Sequence, residues 1–327
     1  MSSELETTYC GLSVRSPVIV GASPDNMSSE HARQYTLAGA GAIMLPSLFE
    51  EQVLANHQEM DFFPNEEEQA LDTERFLSEQ NAYNCGVQEY LRCIARIKRQ
   101  IGIPVFANLH ASTDGNWLCI GERLQSAGAD GIELSFANPC CNPRLSADET
   151  EKMLLRIVTQ LSEVVTIPIA VKLTPFHSNL ANLALQLNKC GAAGVTCFGF
   201  EPAWQVRQDL ISPSSHWSYS TNGNMNLTLS GILRVSSANA EVSVAASGGV
   251  TTAEDSIKAL LAGADVVMLT SEVHRAGPDV IAHICDGLSI YLEKKHHPSM
   301  REFLQHRPER RLDRQTLLEC LAAVRSH

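Results

Sequence analysis

The chain has 327 residues, 44% of them hydrophobic and 19% charged, with a net charge of −12 and a pI near 5.4. This composition excludes a largely disordered chain, and the acidic balance gives nucleic-acid phosphates no general attraction. The length suits a (β/α)8 barrel with insertions.

The opening stretch, 1–20, carries acids and no long apolar run, so it reads as no secretory signal. No stretch approaches the roughly 20 apolar residues of a membrane-spanning helix. The ten cysteines show no C-x2-C spacing. Zinc and iron–sulfur ligation therefore lack their usual pattern, and no metal is expected. Free thiols in a reducing cytosol are the favoured reading, with a cytoplasmic protein as its consequence.

Eight short apolar runs follow in chain order: VIVG (18–21), AIMLP (42–46), VFANL (105–109), GIELS (131–135), IAVKL (169–173), GVTCF (194–198), VSVAAS (242–247) and VVMLT (266–270). They are apolar almost throughout rather than alternating, as strands covered on both faces are. Helices are predicted over 28–38, 87–100, 116–127, 148–164, 179–190, 253–262 and 278–294. The phrases AGAGA (38–42), AGADG (127–131), CGAAG (190–194) and AGADV (262–266) end helices in glycine, which accepts the left-handed conformation. GIPV (102–105) and TIPI (166–169) do the same with proline. The fold class predicted is α/β, a closed (β/α)8 TIM barrel forming one domain over 1–327. Long connections follow strand 2 (47–86) and strand 6 (199–241), and both leave the strand ends where barrels keep their chemistry. The second contains SPSSHWSYSTNGNMN (212–226), a composition that suits a mobile lid. From about 296 the chain is basic and polar and is read as a helical C-terminal appendage.

Two motifs carry chemistry. ASGGV (246–250) after strand 7 and LTSEV (269–273) after strand 8 stand where barrels of this kind hold phosphate on backbone N–H groups and a helix N-terminus. Gly248 and Gly249 allow close approach, and Thr270 and Ser271 add donors; a plain tight turn is the bland alternative. In AVKLTPF (170–176), Lys172 interrupts an apolar strand, and buried lysines need partners. It sits over an anionic ligand such as a reduced flavin, or it is a Schiff-base nucleophile, or it forms a structural ion pair with Glu133 on the neighbouring strand.

Taken together, TYCGLSVRSPVIVGAS (8–23), SLFEEQ (47–52), VKLTPF (171–176), SGGV (247–250) and AGADVVML (262–269) resemble the dihydroorotate dehydrogenases. The likeness is to the soluble class and to its dihydroorotate dehydrogenase-like branch, and it spans about 7–304. The resemblance implies a TIM barrel with FMN at the C-terminal mouth, hydride transfer between a small-molecule substrate and FMN, and a separate electron acceptor or donor. It also implies a homodimer and no membrane or nucleic-acid partner. Carried over residue by residue, it places Ala22, Ser23, Ser47, Asn108 and Lys172 at the flavin. Gly231, Gly248, Gly249, Thr270 and Ser271 then fall at its phosphate.

The substrate half departs from the family. The family's N-x-S-C-P-N pattern reads Glu133-Leu134-Ser135-Phe136-Ala137-Asn138 here, so phenylalanine stands for the base and only Ser135 and Asn138 survive. The Asn-Ser pair after strand 6 is Gly199-Phe200, and the lysine after strand 2 is Pro46. Each lost contact leaves a pyrimidine polar edge unpaired, at about 1–3 kcal/mol. Dihydroorotate is therefore not expected as substrate. Cys140, Cys141, Glu133 and His177 are the candidate replacements for the base, with packing as the competing role for one of the cysteines. Phe136 and Phe200, with Trp204 nearby, point to a more apolar substrate pocket. Two other readings stay open: a Schiff-base aldolase or lyase using Lys172 on a phosphate-bearing substrate, and a non-catalytic flavin-binding relative.

Overall fold

The computed structural model describes residues 4–54, 86–136, 143–199, 204–206, 211–213, 219–238 and 241–308, and single positions at 315, 318, 319 and 322. An N-terminal hairpin, β1 (Thr7–Tyr9) and β2 (Leu12–Val14), precedes the strands β3 (Val18–Val20), β4 (Ala42–Phe49) and β5 (Val105–Ala111). Next come β6 (Gly131–Phe136), β7 (Ile169–Leu173) and β8 (Gly194–Cys197). The short hairpin β9 (Trp204–Val206) and β10 (Ile211–Pro213) follows, then β11 (Ser243–Ser247) and β12 (Val266–Leu269). Strands β3 to β8, β11 and β12 close into one barrel, every pair parallel, with β12 returning to β3. This is the predicted (β/α)8 architecture.

The outer helices form where the sequence offers a 3.6-residue apolar stripe. In α1 (Ser29–Leu37) and α2 (Gly86–Lys98) the inward residues include Tyr35, Tyr90, Ile94 and Ile97. After α3 (Ile120–Ser126) comes the longest, α4 (Ala147–Val164). Ser146 starts it with a capping box, accepting from Glu149 N while the Glu149 carboxylate accepts from Ser146 N. The ring is completed by α5 (Leu180–Lys189), α6 (Met225–Ser236), α7 (Ala253–Ala262), the short α8 (Ser271–Ala276) and α9 (Asp279–Lys294). The described part of the C-terminal stretch holds a further helix, α10 (Met300–Gln305).

At the bottom of the barrel one device occurs twice. The aspartate of each AGAD phrase bridges to a residue at the start of the preceding strand, Val105 or Val244. Asp130 donates its N–H to Val105 O (2.8 Å) and accepts from Val105 N (2.7 Å); Asp265 does the same with Val244 at 2.7 and 2.8 Å. A cation balances each carboxylate: Lys98 at 2.7 Å from Asp130 and Arg307 at 3.2 Å from Asp265. Beneath the strands the β1–β2 hairpin folds under the barrel and inserts Tyr9, fully buried, against the Phe106 ring (centroids 5.6 Å).

Proline in a central strand removes a ladder hydrogen bond. Pro46 lies within β4, and the register shifts there between Met44 and Ser47. Tyr90 of α2 repairs the gap: its hydroxyl donates to Pro46 O (2.8 Å) and accepts from Asn108 N (3.0 Å).

The main departure from expectation lies in 199–241. The stretch read as a connection with a mobile lid contains the barrel helix α6, and 219–226 leads into it through a 3-10 turn, Asn222–Asn224. Thr228, Ser230 and Gly231 are weak helix formers and hid it. Tertiary packing explains the glycine: a Cβ on Gly231 would overlap the Phe198 ring. Strand β4 also runs to Phe49, three residues past the predicted end.

The Asp130→Ala variant removes the acceptor for a strand-start N–H and leaves Lys98 without its carboxylate. Chemical denaturation should show a loss of about 1–3 kcal/mol.

Candidate functional site

The barrel register gathers one polar network at the C-terminal mouth. Asn108 pairs in register with Ser47 on one side and Glu133 on the other, and two residues further along the strands His110, Ser135, Lys172 and Thr196 form the next row. Five consecutive strands, β4 to β8, thus each contribute to it. Glu133 is its centre and has no exposed surface. Its Oε2 is 2.6 Å from Lys172 Nζ and accepts from Asn108 Nδ2 at 2.6 Å; its Oε1 accepts from Thr196 Oγ1 at 3.0 Å. Asn108 Oδ1 in turn accepts from Ser47 Oγ (2.9 Å) and Ser135 Oγ (3.3 Å). The structural ion pair between Lys172 and Glu133 is therefore formed. Lys172 retains 15% side-chain exposure, and its stem runs beneath Gly199, where a Cβ would come within 3.3 Å of Lys172 Cγ.

A second group of residues converges beside it. Gly248 and Gly249 follow β11 with φ of +97° and +85°. Among the described residues their N–H groups donate to no backbone carbonyl. Gly249 packs on the start of α6, with Met225 N 2.5 Å from where its Cβ would stand. Thr270 follows β12 at the N-cap of α8, and its hydroxyl fills the space beside Gly21; Ser271 opens α8 and accepts from Ser220 N at 3.0 Å. Two amides with no backbone carbonyl partner among the described residues, a φ > 0 turn and two helix starts are a donor set that fits a phosphate. The neighbouring start of α7 is already closed. Burial pushes the Asp255 carboxyl up, but hydrogen bonds from Thr251, Thr252 and Asn222 bring it below its ordinary value. Gly231 lies inside α6 under Phe198, so packing accounts for its lack of a side chain.

The loop after β3 joins α8 through a chain of three side chains. Ser23 Oγ lies 2.8 Å from His274 Nε2, and His274 Nδ1 lies 3.0 Å from Asp25 Oδ2. Ser23 also caps the 3-10 turn that follows it, which anchors Ala22 and Ser23 at the mouth.

Among the candidate bases, Glu133 is occupied by three partners. His177 lies 3.4 Å from Glu151 of α4, and burial lowers its pKa while Glu151 opposes the fall. Cys140, Cys141, Asn138 and Phe200 lie outside the described residues. Phe136 closes β6 as a buried ring, 7% exposed. Another mouth residue, His110, was not singled out from the sequence. It sits at the end of β5, opposite Ser135 in register and 4.8 Å from the Phe49 ring. Burial pushes its pKa below the ordinary value; Glu51 and Glu50 oppose this and Lys172 adds to it. Strand alternation carried on from Phe106 and Asn108 would have placed it on the inner face.

The sequence profile described as dihydroorotate dehydrogenase matches residues 4–292. The chain belongs to the dihydroorotate dehydrogenase family. It is 24% identical over 305 residues to the dihydroorotate dehydrogenase B (NAD(+)) catalytic subunit of Pyrococcus abyssi, covering 92% of this chain and 98% of that protein. It is 25% identical over 270 residues to the protein of the same name from Listeria monocytogenes, covering 79% and 83%. It is also 21% identical over 322 residues to the NAD-dependent dihydropyrimidine dehydrogenase subunit PreA of Escherichia coli, covering 93% and 77%. Among the described residues no helix is long and apolar enough to cross a membrane.

Replacing Lys172 by methionine strands the Glu133 charge in the barrel and should cost about 3–5 kcal/mol of stability, read from the urea midpoint. Acid gives an independent check. His110 and His177 both have folded pKa values below the unfolded value of about 6.5. Protons therefore bind the unfolded chain first, and the stability present above about pH 6.5 declines as pH falls through the folded values. In the His110→Gln, His177→Gln variant the midpoint should fall less between pH 7.5 and 5.5 than in the wild type.

Proposed function

We propose that this protein is an FMN-dependent oxidoreductase that passes a hydride between a small molecule and the flavin, acting on a carbon–carbon bond as the family does. The observation that carries this reading is the convergence of the Gly248–Gly249 turn, the α8 start and the Lys172 ammonium at one barrel end. The Gly248, Gly249 and Ser271 N–H groups would hold the FMN phosphate, with the Thr270 and Ser271 hydroxyls beside them. Ala22, Ser23, Ser47, Asn108 and Lys172 would line the ring. FMN supplies the reversible two-electron chemistry when bound. A separate electron donor or acceptor completes the turnover, in keeping with the relatives' names as subunits.

The substrate we propose is not dihydroorotate. The residue standing first in the family's base motif is Glu133, which is fully buried and committed to the strand network. Phe136 has no proton to exchange. His110 supplies a base at the mouth: burial favours its neutral form near pH 7. Phe136 and Phe198, 7% and 6% exposed, pack instead into the layer between the strands and the outer helices, Phe198 against Gly231, so the expected apolar character of the pocket does not come from these two rings. The lyase reading fares worse. A Schiff-base lysine needs an amine free to attack, and the Lys172 Nζ is engaged 2.6 Å from a buried carboxylate.

The purified protein should show oxidised-flavin absorption and release FMN, identified by mass. Gly249→Ala places a side chain at φ +85° against the α6 backbone and should weaken FMN binding at least tenfold while leaving the fold intact by circular dichroism. A colourless wild type that also refuses added FMN would refute the proposal.

A further inference from the structure

The family pattern has an uncharged asparagine at the position of Glu133. Above an asparagine, Lys172 would offer a net positive charge to whatever lies on it. Here the two charges stand 2.6 Å apart and sum to zero. The carboxylate is not free to turn away. Asn108 on the neighbouring β5 and Thr196 on β8, two strands away, hold its two oxygens, and Asn108 is itself fixed by Ser47. Lys172 is partly exposed at the mouth, whereas Glu133 has no exposed surface. A ligand that covers the mouth therefore meets the lysine and not the acid.

We propose that Glu133 is a positioning residue that cancels the charge of Lys172 beneath the flavin ring, so that bound FMN is harder to reduce than it would be over a lone lysine. The proposal rests on the FMN reading above. Reduction by two electrons builds negative charge on the ring, and a nearby cation stabilises the reduced form. A neutral ion pair supplies much less of that stabilisation. A flavin that is harder to reduce is a stronger donor once reduced. The arrangement suits a reductase: a low-potential electron carrier delivers two electrons to the flavin, and these pass with protons to an unsaturated substrate. The reaction that precedes this one must then regenerate such a carrier.

The experiment compares four holoproteins: wild type, Glu133→Gln, Glu133→Asn, and the double Glu133→Gln, Lys172→Met. Each is equilibrated with a reference dye and the ratio of reduced to oxidised flavin is read by absorbance. Both single variants should raise that ratio at least tenfold, about 30 mV for a two-electron couple. The double variant, again neutral, should return to within threefold of wild type. Sulfite affinity gives a second readout. Sulfite adds to oxidised flavin and leaves negative charge on the ring, so both singles should bind it at least tenfold more tightly. Single variants within threefold of wild type overturn the proposal, as does a double variant displaced as far as the singles. If the singles lose flavin and the double keeps it, Glu133 serves flavin binding rather than flavin potential and the proposal is overturned. Loss from all three assigns Glu133 a packing role and overturns it. A wild type without flavin removes the FMN reading and this one together; a yellow wild type with unmoved variants removes this one alone.

Discussion

A carboxylate with no access to water constrains everything around it. Taking one ion out of water costs several kcal/mol, and a lone countercharge seldom repays that unless hydrogen bonds complete the shell. Glu133 has the complete shell: an ammonium, an amide and a hydroxyl drawn from three other strands. The rest of the upper barrel follows from that need. Asn108 must present its amide to Glu133, so Ser47 and Ser135 satisfy its carbonyl. The Asn108 backbone must be held although Pro46 interrupts the ladder beside it, so Tyr90 reaches in from α2. A proline, a tyrosine and two serines that look unrelated along the chain are accounted for by one charge.

Much of this was legible before any coordinates. Eight buried runs separated by glycine-ended helices specify the barrel because parallel strands covered on both faces have little other reason to look that way. Lys172 stood out because a lysine inside such a run needs a partner, and Glu133 was within reach on the next strand. Less visible were features that depend on contacts distant in sequence. Helix α6 was masked by its own weak formers and is held by packing, with Gly231 accepting the Phe198 ring. The Ser23–His274–Asp25 chain exists because β12 closes onto β3, an adjacency that no local pattern announces. His110 is missed because the apolar run ends at Leu109, whereas β5 continues to Ala111 and alternation from Asn108 turns His110 inward.

Two parts of the barrel mouth depart differently from the family pattern. At the proposed phosphate cradle, the glycine pair and helix start remain where the family keeps them. In the proposed substrate region, the asparagine, base and lysine positions hold Glu133, Phe136 and Pro46. Identities of 21–25% to enzymes with named pyrimidine substrates fit a scaffold kept for one ligand and rebuilt for another. The polar residue among these replacements, Glu133, faces Lys172, Asn108 and Thr196 rather than the mouth.

The hairpin beneath the barrel makes the interior a vessel with one opening. Tyr9 and Phe106 form its floor, fully buried, directly under the layer that holds Glu133 and Thr196. Of the pair, Glu133 has no exposed surface and Lys172 is the member open to the mouth. Once a flat ligand covers Lys172, the charges below it are sealed off, and their exchange with solvent becomes as slow as the ligand's own departure. Occupancy of the mouth thus sets the clock for the chemistry of the floor.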